Sequence, residues 1–205
     1  MTQSSFPRSE KSTSGRAYLV PVDLAAEPDR PLLLIRAIKP ADSEPLRYAF
    51  EHDLSSLSRY QRFHAPLSRL PDRLVHYLTH ADGVDHVALI AFALNPSEPA
   101  HGVGVARFIR TPTQPDTAEL AITVVDHAQG HGIGRHLLEA LSAAALVRGI
   151  RTFNLVVLSS NQRVRAWLRK LGAVARSSEA GVITFQLPIA ALDKSSRNSA
   201  RSSAA

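Results

Sequence analysis

Apolar residues follow two different periods along this chain, and the changes between them predict an alternation of strands and helices. Short continuous apolar runs, the pattern of buried strands, occur at 32–38, 86–94, 102–110, 118–125 and 153–158. Apolar residues spaced three or four apart predict helices at 43–57, 68–79 and 133–149, and a further helix is expected at 161–172 before a closing hairpin at 173–187.

The lengths of the connections predict how these elements pair. Only short turns, 95–99 and 111–116, separate the strands between 86 and 125, so we expect an antiparallel meander. A helix of about 18 residues joins the last of these strands to 153–158, which is long enough for a crossover between parallel strands. The expected fold class is therefore α/β (α+β), with a mixed, mostly antiparallel sheet.

The two ends of the chain lack this periodicity. Residues 1–30 are rich in Ser, Pro and mixed charge, which predicts a disordered or loosely attached extension, and 189–205 are expected to form a tail of low order. Residues 31–188 are left as one domain. The sequence contains no apolar run near 18 residues and no secretory leader, so we expect no membrane span and a cytoplasmic location.

A glycine-rich segment, Gln129-Gly130-His131-Gly132-Ile133-Gly134, joins a predicted strand to a predicted helix. Alternate glycines permit a sharp turn whose N–H groups can face an anion at the helix N-terminus. A Walker A loop would require Gly-Lys followed by Ser or Thr, and a dinucleotide fingerprint would require a small residue at position 135 or 137. Arg135, His136 and Leu137 satisfy neither pattern, so another kind of phosphate loop is indicated.

Charge and composition reduce the number of ligand classes that fit this loop. The chain of 205 residues has a net charge of +6, and residues 126–176 hold eight Arg or Lys against two acids. A polyanionic ligand explains this excess. Nucleic acid is the alternative, but no aromatic-interleaved basic stripe accompanies the charge, so we expect no nucleic-acid partner. The chain has no cysteine, and His76 and His80 lack the hydrolase glutamate, so no metal site is predicted.

Gln-x-x-Gly-x-Gly after a strand and before a helix is similar to the acyl-CoA pyrophosphate loop of the GNAT N-acetyltransferases. The element order from 32 to 187 matches the complete GNAT fold, which implies about seven strands, four main helices, and strands four and five parallel and splayed around the cofactor. The resemblance implies that acetyl-CoA donates an acetyl group to an amine. It assigns contacts with acetyl-CoA to Ile122, Thr123, Val124, Gln129, Gly130, His131, Gly132, Ile133, Gly134, Arg135 and Asn161.

Some of these residues also have a purely structural interpretation. Asn161 can act as a helix N-cap, and His131 can be a solvated loop residue. Amide formation needs a deprotonated amine, and the resemblance implies that Glu119 is the general base. The alternative for Glu119 is an exposed charge at a strand end. The position of the family's tyrosine acid is Leu168, so no tyrosine acid is predicted.

Leu57, Ser58, Arg62 and Phe63 resemble a loop of the bacterial Pat-type protein lysine acetyltransferases, at slightly shorter spacing. This resemblance favours a protein lysine as the acceptor. A structural alternative places Phe63 in the core and Arg62 in solvent. A small amine is the alternative acceptor, and a non-catalytic acyl-CoA sensor is the alternative from another class. The sequence gives no indication of the oligomeric state.

Overall fold

One mixed sheet organises the part of the chain that the computed structural model describes, residues 18–21, 32–94 and 100–192. Its strands follow the order β1-β2-β3-β4-β5-β6-β8-β7, and only the β5–β6 pair is parallel among the described strands. The strands are β1 (Tyr18–Pro21), β2 (Leu32–Ala37), β3 (His86–Leu94), β4 (His101–Thr111), β5 (Gln114–Val124), β6 (Thr152–Leu158), β7 (Val174–Glu179) and β8 (Val182–Pro188).

Among the described residues, α-helices cover the two faces of this sheet. They are α1 (Ser43–Tyr48), α2 (Ser56–Phe63), α3 (Asp72–Thr79), α4 (Ile133–Leu146) and α5 (Gln162–Lys170). The main apolar cluster joins α4 and α5 to one face of the sheet. A second cluster, which includes Phe50, Leu54 and Leu78, lies under α1–α3 on the other face, where Val105 of β4 packs against it. None of the described helices is long and apolar enough to cross a membrane.

The predicted meander and the parallel crossover are confirmed. β5 pairs with β6 only from Thr117↔Thr152 to Glu119↔Asn154, although the two strands continue to Val124 and Leu158. Beyond Glu119 the strands therefore part, which confirms the predicted splay. The result is an open gap between the carboxyl-terminal halves of β5 and β6.

The helices before β3 differ from their predicted bounds. After α1 the chain forms a short π-helix at Ala49–Asp53, and α2 starts at Ser56, so a helix to residue 57 and a loop at 57–64 are both wrong. Ser55 explains the new start, because its side chain accepts a hydrogen bond from the Ser58 N–H at 3.2 Å. The helix predicted from residue 68 begins at Asp72, since Pro71 disfavours helical backbone in the residue before it.

Both ends of the domain contain ordered structure that the sequence did not predict. β1 pairs with β2 within the segment expected to be loosely attached, so the sheet has eight described strands rather than about seven. Residues 189–192 form a helical turn that buries Ile189 and Leu192 in the main cluster. The predicted turn at 95–99 and the remainder of the two tails lie outside the described residues.

A glycine within β4 permits unusually close packing. A Cβ atom on Gly104 would lie 3.0 Å from Leu137 Cδ1 and 3.0 Å from the Thr123 carbonyl oxygen. On Gly102 the nearest atom would be 3.9 Å away. Of these two glycines, only Gly104 therefore requires the absence of a side chain for close packing.

Candidate functional site

The gap between β5 and β6 exposes alternate backbone groups of β5. The Val125 N–H donates to Val103 of β4 at 3.0 Å, whereas the Val124 carbonyl accepts from Gln129 Nε2 at 3.1 Å, away from β4. Successive residues of a strand point their backbone groups to opposite sides. The backbones of Ile122 and Val124 therefore face the gap, while that of Thr123 faces β4.

The glycine loop leads from this gap into α4. Gly130 and Gly132 have φ values of +94° and +82°, in the left-handed region that side chains disfavour. The Gly132 carbonyl accepts from the N–H groups of Arg135 and His136 at 2.9 and 3.1 Å, which starts the helix. The N–H groups of residues 130–134 have no hydrogen-bond acceptor among the described residues. They form, with the helix N-terminus, a site suited to a phosphate group.

The Gln129 side chain stabilises the loop through hydrogen bonds to neighbouring residues. Gln129 Nε2 donates to the Val124 carbonyl and to Asp126 Oδ1, both at 3.1 Å, and Oε1 accepts from Arg163 Nη1 at 3.0 Å. Its polar atoms are therefore engaged by the protein. Arg163 was missing from the predicted site, although its place two residues after Asn161 in the basic segment was a usable signal. A Cβ atom on Gly130 would lie 3.5 Å from Arg163 Nη2.

The other predicted cofactor residues differ in whether their side chains already contact the protein or are exposed. Arg135 Nε forms an ion pair with Glu139 at 2.9 Å, four residues along α4. His131 is exposed, and Ile133 is buried beneath the loop. Asn161 is the N-cap of α5, with Oδ1 accepting from the Val164 N–H at 3.1 Å. Its amide NH₂ makes no hydrogen bond to a described residue and remains available.

An apolar pocket lies on the other face of the sheet, between β4, β5 and the helical segment α1–α3. The space between its lining residues measures about 540 Å³, a volume that includes the part open to solvent. Its polar lining residues are Arg62 from α2, Arg107 from β4 and Thr123 from β5. The walls are formed by apolar side chains that include Phe50, Leu54, Phe63, Leu70, Leu78 and Val105.

Glu119 lies at the point where β5 leaves β6. Side chains alternate along a strand, so Glu119 and Thr123 lie on one face of the sheet, towards α1–α3. The Glu119 side chain is exposed and makes no hydrogen bond or ion pair with a described residue. Its negative charge acts on Arg62: burial lowers the pKa of Arg62, while Glu119 and Tyr77 raise it.

The two arginines of the pocket are held in different ways. The Arg62 guanidinium stacks over the Phe63 ring, 4.8 Å from its centre, and Phe63 packs edge-on against Phe50. Arg62 is partly buried and lines the pocket, so the solvated alternative for Arg62 is wrong. Arg107 is only 3% exposed, and its Nη atoms lie 3.2 Å from His86 Nε2 and 3.1 Å from the Leu78 carbonyl.

The electrostatic consequences follow from burial. Burial, followed by repulsion from Arg62, lowers the pKa of Arg107 to about 9, which keeps it cationic at neutral pH. Burial and then the charge of Arg107 lower the pKa of His86, which favours a neutral imidazole with Nε2 as the acceptor.

Asp126 connects α2 to the glycine loop, a link that the sequence did not predict. Its carboxylate accepts from the Ser55 N–H at 2.9 Å, from Ser58 Oγ at 2.6 Å and from Gln129 Nε2 at 3.1 Å. Burial raises the pKa of Asp126, but the hydrogen bonds from Ser58 and Ser55 outweigh it and lower the pKa overall. The helix that carries Arg62 is therefore tied to the loop.

Within the described residues, no group of three His, Cys, Asp or Glu side chains is placed to bind a metal ion. The His76 and His80 rings stack on each other with centroids 3.7 Å apart.

Together, the split parallel pair and the glycine loop before α4 are the features of the GNAT fold. Residues 33–174 match the family described as Acetyltransferase (GNAT) domain. The chain belongs to this family.

Individual relatives agree with this assignment. The chain is 35% identical over 144 residues to Acetyltransferase Pat of Mycolicibacterium smegmatis, a match that covers 69% of this chain and 41% of that protein. The solved GNAT domain of S. lividans PAT is 32% identical with a TM-score of 0.74, covering 84% of this chain and 96% of that domain. A cAMP-binding acyltransferase from Mycobacterium smegmatis is 29% identical with a TM-score of 0.56. The match covers 87% of this chain and 49% of that one.

These matches confirm the predicted Pat-type relationship. The chain spans about two fifths of the length of the curated relative that it matches.

Proposed function

We propose that this protein transfers an acetyl group from acetyl-CoA to a primary amine, with a protein lysine as the acceptor. The observation that carries the proposal is the gap beyond Glu119, which the backbones of Ile122 and Val124 face. This gap leads to the N–H groups of residues 130–134, which have no acceptor within the described part of the chain. A linear donor with an amide-rich arm and a pyrophosphate fits this order of hydrogen-bonding groups.

The cofactor contacts follow from this placement. Ile122 and Val124 would bond the pantetheine arm through their backbones, and Thr123 would contact the acyl end through its side chain. The loop from Gly130 to Gly134 would hold the pyrophosphate, with Arg163 and the Asn161 amide beside it. The expectation of a cytoplasmic location stays a prediction.

In the proposed reaction the amine attacks the thioester carbonyl directly, because the chain has no cysteine for a covalent intermediate. Glu119 takes a proton from the amine, either directly or through a water molecule. The new C–N bond forms as the C–S bond breaks, and the thiolate leaves. Leu168 is fully buried and has no acidic proton, so solvent protonates the thiolate. A thiol with a pKa near 8.5 forms a stable thiolate, so the thiolate can leave without a side chain that donates a proton.

The Pat-type resemblance and the position of Arg62 and Phe63 in the pocket wall support a protein lysine as the acceptor. A small-molecule amine and a non-catalytic acyl-CoA sensor remain the competing functions.

Calorimetric titration with acetyl-CoA tests the donor site. Wild-type protein should bind saturably, and Gly132→Glu should abolish binding, because it adds a negative charge and a side chain at φ +82° where the pyrophosphate is expected. Gly149→Glu is the matched control: Gly149 has φ +78° and lies beyond the opposite end of α4. Lack of binding by the wild type would refute the proposal.

Turnover separates the remaining alternatives. Labelled acetyl-CoA is incubated with a cell lysate, and the products are identified by mass spectrometry. Label on protein lysines supports the proposal, label only on small molecules indicates the small-amine function, and binding without transfer to any acceptor indicates a sensor.

A further inference from the structure

The polar groups of the apolar pocket can donate more hydrogen bonds than the described residues accept. Arg107 Nε and Thr123 Oγ1 are buried and have no hydrogen-bond partner among the described residues. The Arg62 guanidinium has no hydrogen bond or ion pair with a described residue. Buried donors without acceptors are rare in folded proteins. Their grouping in one pocket therefore indicates a ligand that supplies acceptors.

These groups reach the pocket from three separate elements. Thr123 of β5 lies opposite Val105 of β4, and Ala121 lies opposite Arg107, so Arg107 and Thr123 are diagonal neighbours on the same face. Arg62 of α2 is close enough to Arg107 for their like charges to repel. The arrangement concentrates two positive charges and one hydroxyl against apolar walls.

A structural role accounts for part of this arrangement. Arg107 donates to the Leu78 carbonyl near the end of α3 and contacts the neutral His86, which helps to dock α3 on the sheet. That role leaves Arg107 Nε, the Thr123 hydroxyl and Arg62 unexplained. Glu119 is the acid whose charge acts on Arg62, and it is exposed at the gap. It can balance one of the two positive charges.

The chemistry of the ligand follows from this donor set. A guanidinium only donates, and a carboxylate offers two oxygens with about four acceptor positions and one negative charge. The surrounding side chains of Phe50, Leu54 and Phe63 suit an aliphatic chain.

We propose that the pocket binds a carboxylate at the end of a short aliphatic chain, and that this is the ω-carboxylate of a dicarboxylic acyl group on the CoA thioester. The inference rests on the proposed function. Thr123 lies between the two residues whose backbones face the donor gap, which places its side chain beside the acyl end of the donor. Transfer would form the amide bond and break the thioester as for acetyl, and the ω-carboxylate would take no part in the bond changes. A carboxylate on the acceptor is the other source of the same chemistry.

Succinyl-CoA and butyryl-CoA form a matched donor pair of similar length that differs in the terminal carboxylate. Calorimetric affinity and kcat/KM for wild-type protein should favour succinyl-CoA at least tenfold. Thr123→Val keeps the branched shape and removes the hydroxyl, and it should reduce the succinyl-to-butyryl ratio about tenfold. Arg62→Gln should reduce the ratio further, with partial recovery in Arg62→Lys. Ser142→Ala is the control, because Ser142 carries another buried, unpartnered hydroxyl but lies on α4.

A second arm distinguishes the two sources of the carboxylate. With acetyl-CoA as the donor, 6-aminohexanoate is compared with hexylamine as the acceptor. A preference for 6-aminohexanoate that Thr123→Val removes, without any preference between the donors, would assign the carboxylate to the acceptor and overturn the donor assignment. If the enzyme uses acetyl-CoA but prefers neither succinyl-CoA over butyryl-CoA nor 6-aminohexanoate over hexylamine, the inference is overturned and the proposed function is unaffected. Failure to bind acetyl-CoA would instead refute the proposed function, and equal affinity for the two acyl-CoA probes would still refute the inference.

Discussion

Replacement of Glu119 by glutamine tests the proposed base with little disturbance of the fold. The side chain is exposed and makes no hydrogen bond or ion pair with a described residue, so the free energy of unfolding should change by less than about 0.5 kcal/mol. Glu119 also precedes the residues proposed to hold the pantetheine and pyrophosphate, so acetyl-CoA affinity should be nearly unchanged. The expected effect is therefore confined to turnover.

The magnitude follows from the state of the acceptor. A lysine with a pKa near 10.4 is about one part in a thousand neutral at pH 7.4. General-base assistance contributes roughly 10²–10⁴-fold, which corresponds to about 2.7–5.4 kcal/mol of barrier. Glu119→Gln should lower turnover by that factor at pH 7.4. At pH 9.4 the neutral amine is about a hundredfold more abundant, so the deficit should shrink.

The assay is thiol release from acetyl-CoA with a lysine peptide, measured at both pH values. Glu179→Gln is the control, because it removes an exposed carboxylate at the end of β7, away from the paired part of β5 and β6. Wild-type turnover by Glu119→Gln at pH 7.4, or a deficit that stays constant between the two pH values, would refute its role in deprotonating the amine.

Three further results are expected. Gly104→Ala should destabilise the fold by about 1–3 kcal/mol in denaturant titrations, because its Cβ would press on Leu137 and β5, whereas Gly102→Ala should cost less. Arg163→Gln should weaken acetyl-CoA binding about tenfold by calorimetry, since it removes a positive charge beside the loop, and unchanged affinity would exclude Arg163 from the phosphate site. The lowered pKa of Asp126 means that its stabilising contribution is complete above about pH 3.8 and is lost as the pH falls through its folded-state pKa, so Asp126→Asn should flatten the unfolding profile in that acidic range.

The main architecture was predictable because it depends on local patterns. The apolar period of each element and the length of the helix after Gly134 determined the meander and the parallel β5–β6 pair. The glycine loop was equally local, since positive φ values at Gly130 and Gly132 require glycine or strain. Helix bounds were less predictable around Pro71, because a proline disfavours helical backbone in the residue before it and so delays the start of α3 regardless of the apolar pattern.

The pocket was not predictable, because it depends on contacts between distant parts of the chain. Arg62, Arg107 and Thr123 belong to a helix and two strands, and only the strand register and the docking of α2 bring them together. One signal was available: Arg107 is a charged residue inside the strand at 102–110, where the only other charged residue, Arg110, stands at the end of the segment. A buried arginine requires acceptors or a special role, so this position had reason to be included in the candidate site.

The second half of β5 contributes to the core, to the gap and to the pocket. Its backbone groups point in one direction, and its alternating side chains point in two others. Leu120, Ile122 and Val124 direct side chains to the core around α4, which fixes the strand once β6 no longer supports it. Their backbone groups face the gap, whereas Glu119 and Thr123 direct side chains to the opposite face. A strand that leaves its neighbour while its core side remains packed can therefore offer hydrogen bonds to a donor and side chains to the reacting groups at the same time. The proposed base and the pocket depend on this separation, so a change that restored pairing beyond Glu119 would close the donor site without altering any of the proposed catalytic or binding side chains.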